Sequence, residues 1–199
     1  CCSSAASDVY KRQPQGRGLS KSVPMNTILE KIRNLVNKGF KEIVLTGVDI
    51  TCWGSDIAGN DKLGDLVNNI LNETPDLPRL RLSSLDVSEM DDNLLHVFKT
   101  NKRMMPHLHL SLQSGNNLIL KRMKRRHSRE QAIDLCRNLK AARPELTFGA
   151  DLIAGFPTES DTMFLDTIKL VAECDISWLH IFPYSGPVSY THLPSPRDQ

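Results

Sequence analysis

Residues Phe148 to Ser160, "FGADLIAGFPTES", place an acid, a turn glycine and two hydroxyl residues at the end of an apolar run. Such a run reads as a β-strand whose C-terminal end delivers Asp151 to a ligand. Gly155 lets the backbone approach that ligand closely, and Thr158 or Ser160 caps the next helix. Four further segments share the plan: "EIVLTGVD" (42–49), "RLRLSSLD" (79–86), "HLHLSLQSG" (107–115) and "WLHIFPYS" (178–185). In a parallel βα barrel the loops after the strand C-termini form one mouth, so five such endings describe a single ligand-lined site.

His107 and His109 alternate on one strand and therefore face the same side, as a metal pair would. The sequence offers no nearby carboxylate to complete a strand-borne ligand set, so both are read as structural residues of the barrel layer. The run "KRMKRRHSR", Lys121 to Arg129, holds six Lys or Arg and one His in nine residues. It is a solvated helix end and loop, or a surface where Lys121, Arg122, Lys124 and Arg126 meet nucleic-acid phosphates. Cys52, Cys136 and Cys174 read as small core or surface residues, and Trp53 and Trp178 as packing residues, with Trp53 close enough to the second strand's loop to line the mouth.

Amphipathic helices must separate these strands. One is expected over about 24–38, capped by Ser22 and ended by Gly39, with Ile28, Leu29, Ile32, Leu35 and Val36 on its buried face. Leu63, Leu66, Val67, Ile70 and Leu71 mark a second, and Leu94, Leu95 and Phe98 a third that begins near Asp91. Ser128 and Gln131 form a capping box for a helix bearing Ile133, Leu135, Cys136 and Leu139. Phe164, Leu165, Ile168, Val171 and Ala172 make the last apolar stripe. Alternating strands and helices imply right-handed βαβ crossovers and a parallel sheet, either open or a partial barrel.

The 199 residues, 40% of them apolar, suffice for one domain with a real core. A net charge of +2 neither demands nor excludes a nucleic-acid partner. Five unpaired-looking cysteines argue against a secreted disulfide framework and for a reducing cytoplasm. No apolar run is long enough to span a membrane. Residues 1–13 and 186–199 lack periodicity and read as non-native linker sequence flanking a domain of residues 14–185.

Across that domain the motifs "GRGLSKSVP", "EIVLTGVDIT", "LRLSSLD", "PHLHLSLQSGNNLILKRMKRRHS" and "FGADLIAGFPTE" resemble the radical S-adenosylmethionine (SAM) core of the methylthiotransferase family. The resemblance implies an α/β partial (βα)6 barrel, with strands two to six present here and the first strand missing. It implies SAM as cofactor, a four-iron, four-sulfur (4Fe-4S) cluster in the complete enzyme, and tRNA and an electron donor as partners. By the same resemblance, Thr46, Gly47, Val48 and Asp49 hold the methionine amino group and Ser84 ends the third strand as a polar contact. Gln113 and Arg125 reach the methionine carboxylate, Asp151 takes ribose hydroxyls, and Gly155 admits the adenine. "LTGVDIT" and "MKRRHS" look most like the branch that adds a methylthio group to C2 of threonylcarbamoyladenosine beside the tRNA anticodon. The sister branches act on isopentenyladenosine tRNA or on a ribosomal-protein aspartate.

The chain departs from the family at the cluster. A C-x3-C-x2-C loop is expected just before Pro14, yet the corresponding positions hold Ser4, Asp8 and Lys11, with Cys1 and Cys2 out of register. None can act as a cluster thiolate, so no metal ligand is assigned and the chain itself is expected to be inactive. A barrel lyase or isomerase using Asp151, His107 and His109, or a module that only binds SAM or RNA, are the competing readings.

Overall fold

The computed structural model describes residues 20–47 and 49–185, and the statements below concern those residues. Helix α1 (Met25–Asn37) precedes strand β1 (Glu42–Leu45), followed by a short 310 turn (Ile50–Cys52) and helix α2 (Leu63–Glu73). Strand β2 (Arg79–Leu82), a second 310 turn (Val87–Glu89), helix α3 (Asp92–Thr100) and strand β3 (His107–Gln113) come next. Helices α4 (Asn117–Arg122) and α5 (Arg129–Ala142), strand β4 (Thr147–Ala154), helix α6 (Asp161–Glu173) and strand β5 (Ile176–Pro183) complete the order.

All neighbouring strands run parallel. β1 pairs with β2, and β3, β4 and β5 form a continuous sheet in that order. Two single bridges, Leu80 with Met104 and Leu85 with Leu110, join β2 and its exit loop to β3 and its approach. The five strands thus follow chain order around a curved parallel sheet, as a partial barrel requires.

Period-two alternation divides each central strand between two environments. Leu108, Leu110 and Leu112 of β3 and Phe148, Ala150 and Leu152 of β4 are buried against the helices. They meet Leu66, Val67 and Ile70 of α2, Leu94 and Phe98 of α3, and Ile133, Cys136 and Leu139 of α5. His107, His109, Gly149 and Asp151 take the intervening positions and face the barrel interior.

Caps fix where the helices begin. Asp91 accepts from the Leu94 amide at 2.8 Å to start α3, and Ser128 and Gln131 form the expected capping box of α5. Ser160, not Thr158, caps α6, because Thr158 sits at φ 74° with its hydroxyl taken by Arg122. Ser22 does not cap α1, whose N-cap is Pro24. Its hydroxyl instead accepts from the Gly54 amide at 3.1 Å and its own amide donates to Asp56 at 2.9 Å, tying the α1 approach to the loop after β1.

Of the expected α6 stripe, only Val171 packs against the core. Phe164, Leu165 and Ile168 are exposed, and the helix seats itself through Thr167, Leu170 and the following Cys174. A helix can bury only one stripe. Here the stripe is chosen by a close approach to the β3 exit loop, which a small hydroxyl residue permits and a large apolar one would block. Trp178 is likewise no packing residue: it is exposed, as are Leu179, Ile181 and Phe182 along edge strand β5.

Candidate functional site

The C-terminal ends of the strands converge on one rim. β1 ends into Thr46 and Gly47, both exposed, and the chain then passes to Asp49. Ser84 follows β2 and is exposed. Ser83 donates its amide to Leu45 O at 2.9 Å, so the β1 and β2 endings are level. Gln113 closes β3 in the left-handed region at φ 67°, where the β3–β4 register shifts between Leu110 and Gln113. A non-glycine residue there is costly and marks an exit turn fixed by its surroundings. Gly155 follows β4 at φ 76° with no atom within 4 Å of where a Cβ would stand, so the position is both glycine-demanding and open to a ligand. Val48 lies outside the described residues.

Arg125 belongs to the same rim. It stands after α4, and its Nη1 lies 3.5 Å from Oδ2 of Asp86, the N-cap of the 310 turn after β2. His127 is buried behind it; its Nε2 lies 3.2 Å from the Leu112 carbonyl. Since a carbonyl only accepts, Nε2 donates to it, and Nδ1 lies 3.6 Å from Asp86 Oδ1. Burial alone would raise the Asp86 carboxyl. The His127 ring and the bonds from the Ser88 amide and hydroxyl outweigh it and hold Asp86 below the usual carboxylate range. Asp86 is therefore an anion beside Arg125, orienting the guanidinium without neutralising every donor of its fork.

The remainder of the basic run is largely engaged inside the protein. Arg122 bonds the Thr158 hydroxyl at 2.5 Å, Arg126 pairs with Glu89, and Arg129 reaches Gly115 O, Asp166 O and Glu173. Lys121 and Lys124 remain on the exposed surface. The sequence suggested Arg122 and Arg126 as phosphate contacts; intramolecular acceptors hold both, which a count of charges could not reveal.

Beside the β1 and β2 endings lies a cleft of about 550 Å³, lined among others by Thr51, Cys52, Trp53, Glu89 and Arg126. Thr51 donates to Asp49 Oδ1 at 3.0 Å and also contacts Glu89, so polar groups stand in this wall beside Trp53 and Met90. Burial and the nearby Asp49 push the Cys52 thiol up to about 11, which makes it an inert thiol and not a ready metal ligand. Trp53 lines this cleft while its Nε1 donates to Val23 O at 2.9 Å.

Asp151 is not at the tip of its strand. It sits three residues before the end of β4, facing the interior, with its Oδ1 3.0 Å from His109 Nε2 and 3.3 Å from His180 Nδ1. The reading that no carboxylate accompanies the strand histidines is thereby corrected. Parallel register places His180 opposite Asp151 and His109 opposite Gly149, one interior position earlier. Recognising the group from sequence required that register, which a period-two pattern alone does not supply.

The residues present suit SAM better than an iron–sulfur cluster. The exposed Thr46–Gly47 turn and Ser84, the open backbone at Gly155, and Arg125 offer polar groups of the kind an amino acid or a nucleoside needs, and no thiolates. No three-thiolate set occurs among the described residues: Cys136 and Cys174 are buried in the helical layer, and Cys52 stands apart. Ser4, Asp8, Lys11, Cys1 and Cys2 lie outside the described residues, and no step through a cluster is derived for this chain. No described helix is long and apolar enough to cross a membrane.

Comparison with known proteins agrees with the barrel. Residues 1–171 match the radical SAM superfamily model. The chain is 51% identical over 172 residues to the threonylcarbamoyladenosine tRNA methylthiotransferase MtaB of Rickettsia prowazekii (strain Madrid E), covering 86% of the chain and 41% of that protein. It is 36% identical over 185 residues to the tRNA-2-methylthio-N(6)-dimethylallyladenosine synthase of Shouchella clausii (strain KSM-K16), covering 93% of the chain and 33% of that protein. The chain thus spans less than half the length of these curated relatives. Among solved structures, the radical SAM methyltransferase TsrM from Kitasatospora setae superposes with a TM-score of 0.63 at 14% identity, over 80% of this chain and 31% of that one. Coproporphyrinogen III oxidase (HemN) from Escherichia coli gives 0.60 at 15% identity, over 87% and 42%. At such identities the likeness concerns the fold alone, but together with the family match over residues 1–171 it fixes the classification: the chain belongs to the radical SAM superfamily.

Proposed function

We propose that this chain is the radical SAM core of a tRNA methylthiotransferase that adds a methylthio group to C2 of N6-threonylcarbamoyladenosine beside the anticodon. The observation that carries the reading is the 51% identity to the Rickettsia prowazekii enzyme, against 36% to the dimethylallyladenosine synthase of Shouchella clausii. SAM is the cofactor, and the residues proposed to hold it are Thr46, Gly47, Val48, Asp49, Ser84, Gln113, Arg125 and Gly155, with Asp151 reaching it from the barrel interior. tRNA is the substrate. When bound, the iron–sulfur cluster and SAM supply the radical chemistry; the barrel's own residues orient the nucleoside and exclude water.

The polar groups in the cleft support the choice of nucleoside. A threonylcarbamoyl group carries a carboxylate, a hydroxyl and a urea, all of which need partners when buried, whereas a dimethylallyl group needs an apolar pocket. Thr51, Glu89 and Arg126 line that cleft, and Asp49 and Ser84 stand at the neighbouring strand endings.

Without thiolates at positions 4, 8 and 11, the chain as it stands is proposed to hold no cluster and to be inactive. Anaerobic reconstitution tests this together with the core assignment. The unaltered chain should take up no stoichiometric iron and sulfide. The combined Ser4→Cys, Asp8→Cys, Lys11→Cys variant should gain thiolate-to-iron absorbance and, once reduced, release 5′-deoxyadenosine from SAM. Cluster binding by the unaltered chain would refute the first part; an iron-loaded variant that never cleaves SAM would refute the second.

A further inference from the structure

We infer that His109, Asp151 and His180 form a binding site for one divalent first-row transition ion, distinct from any iron–sulfur cluster; an ion there takes Asp151 from the SAM contact proposed for it. Three adjacent parallel strands each contribute one side chain to the same interior face: β3 gives His109, β4 Asp151 and β5 His180. Strand positions are more rigid than loop positions, so the three groups are held without a folding step on binding.

The spacing fits a metal. Asp151 Oδ1 is 3.0 Å from His109 Nε2 and 3.3 Å from His180 Nδ1, and the three ligand atoms lie within 4.8 Å of one another. Ligand bonds of about 2.0–2.1 Å in tetrahedral geometry place neighbouring donors about 3.3 Å apart. Small rotations of the side chains therefore bring all three onto one ion. Two imidazoles and one carboxylate are borderline ligands of the kind that Zn²⁺ and its first-row neighbours take, and they leave one coordination position open.

Gly149 shapes the site. A Cβ at that position would stand 2.5 Å from His109 Nδ1 and 3.3 Å from His107 Nε2. Its absence gives the His109 ring room to lie across β4 and present Nε2 to Asp151. The rings of His109 and His180 are 5.0 Å apart and inclined by 37°, so their ring nitrogens approach the carboxylate from two sides. A single carboxylate oxygen shared by two imidazoles can also be a hydrogen-bonded cluster, and the experiment separates the two.

The test is calorimetric titration of the chelator-treated full chain with Zn²⁺, repeated on His180→Ala and Asp151→Asn, with Co²⁺ absorption as the readout of ligand type. One Zn²⁺ per chain is expected, weakened about a hundredfold by either substitution. Co²⁺ should give ligand-field bands without a thiolate-to-cobalt charge-transfer band. His180 is 65% exposed on an edge strand, so its replacement leaves the core intact, and it decides the matter if Asp151→Asn fails to fold. No Zn²⁺ binding by the unaltered chain would overturn the site. So would binding unchanged in His180→Ala, or a thiolate band showing that the ion sits on cysteines.

Discussion

Gly115 donates its amide to the Thr167 hydroxyl at 2.9 Å, and a Cβ on Gly115 would stand 2.5 Å from the Thr167 Cα. The exit loop of β3 and the middle of α6 are in backbone contact, which explains why α6 turns a threonine inward and leaves Phe164, Leu165 and Ile168 outside. Since Gln113 and Ser114 lead directly into Gly115, this contact also fixes the rim of the mouth.

Gly115→Ala should destabilise the protein by about 1–3 kcal/mol, because the colliding atoms are backbone and cannot rotate away. Gly155→Ala should cost less, about 1 kcal/mol, since only the left-handed backbone conformation opposes it and nothing stands in the added methyl's space. Urea unfolding of both variants measures the difference; equal losses would contradict the close contact at Gly115.

This pair of glycines also shows what a sequence conveys. Both occur in loops after strands, and one-dimensional pattern treats them alike. Strand alternation, the capping box of Ser128 and Gln131 and the polar strand endings were legible, because each depends on neighbours within a few residues. The seat of α6, the engagement of Arg122 and Arg126, and the meeting of His109, Asp151 and His180 depend on elements far apart in the chain. These are set by register and packing. The short helix α4 escaped the periodicity reading because its apolar residues, Leu118, Ile119 and Leu120, are consecutive and it is only six residues long.

Arg143 is a buried cation whose Nη1 donates to Phe98 O, Asn101 O and Met104 O at 3.3, 3.2 and 2.9 Å. It satisfies the C-terminal end of α3 and the approach to β3 with one planar group. Arg143→Lys should lower stability by about 2–3 kcal/mol, because an ammonium cannot reproduce the fork and leaves carbonyls unpaired. Denaturant unfolding checks this, and a change below about 0.5 kcal/mol would mean that water reaches those carbonyls.

His107 predicts a pH response. Burial, with Arg81 and His109 nearby, pushes the His107 imidazole below its ordinary value of 6.5. The folded state therefore resists a proton that the unfolded chain accepts, and stability falls as pH drops through about 6.5. Asp86 adds a further loss in stronger acid, since its carboxylate is favoured in the fold and must be protonated as pH falls below 3.8. Thermal melts from about pH 7 to about pH 5 should show a declining midpoint, with a shallower decline in His107→Gln. An unchanged slope in that variant would assign the response to other groups.

At the rim, Arg125 and Lys124 are adjacent but differently placed: Arg125 faces Asp86, and Lys124 is exposed at φ 57°. In the cluster-bearing triple-cysteine variant, Arg125→Ala should weaken SAM binding about tenfold to a hundredfold, the worth of one charge-assisted hydrogen bond, and Lys124→Ala should leave it nearly unchanged. Equal losses at matched salt would reduce both residues to a general basic surface.

The proposal that this core serves threonylcarbamoyladenosine is tested most directly by exchanging residues 14–171 for the matching segment of the Rickettsia prowazekii enzyme and analysing tRNA nucleosides by mass spectrometry. The relative supplies the remainder of its own length, so the exchanged segment alone is under test. The account predicts a methylthio group on threonylcarbamoyladenosine and none on dimethylallyladenosine. Methylthiolation of dimethylallyladenosine alone would contradict it.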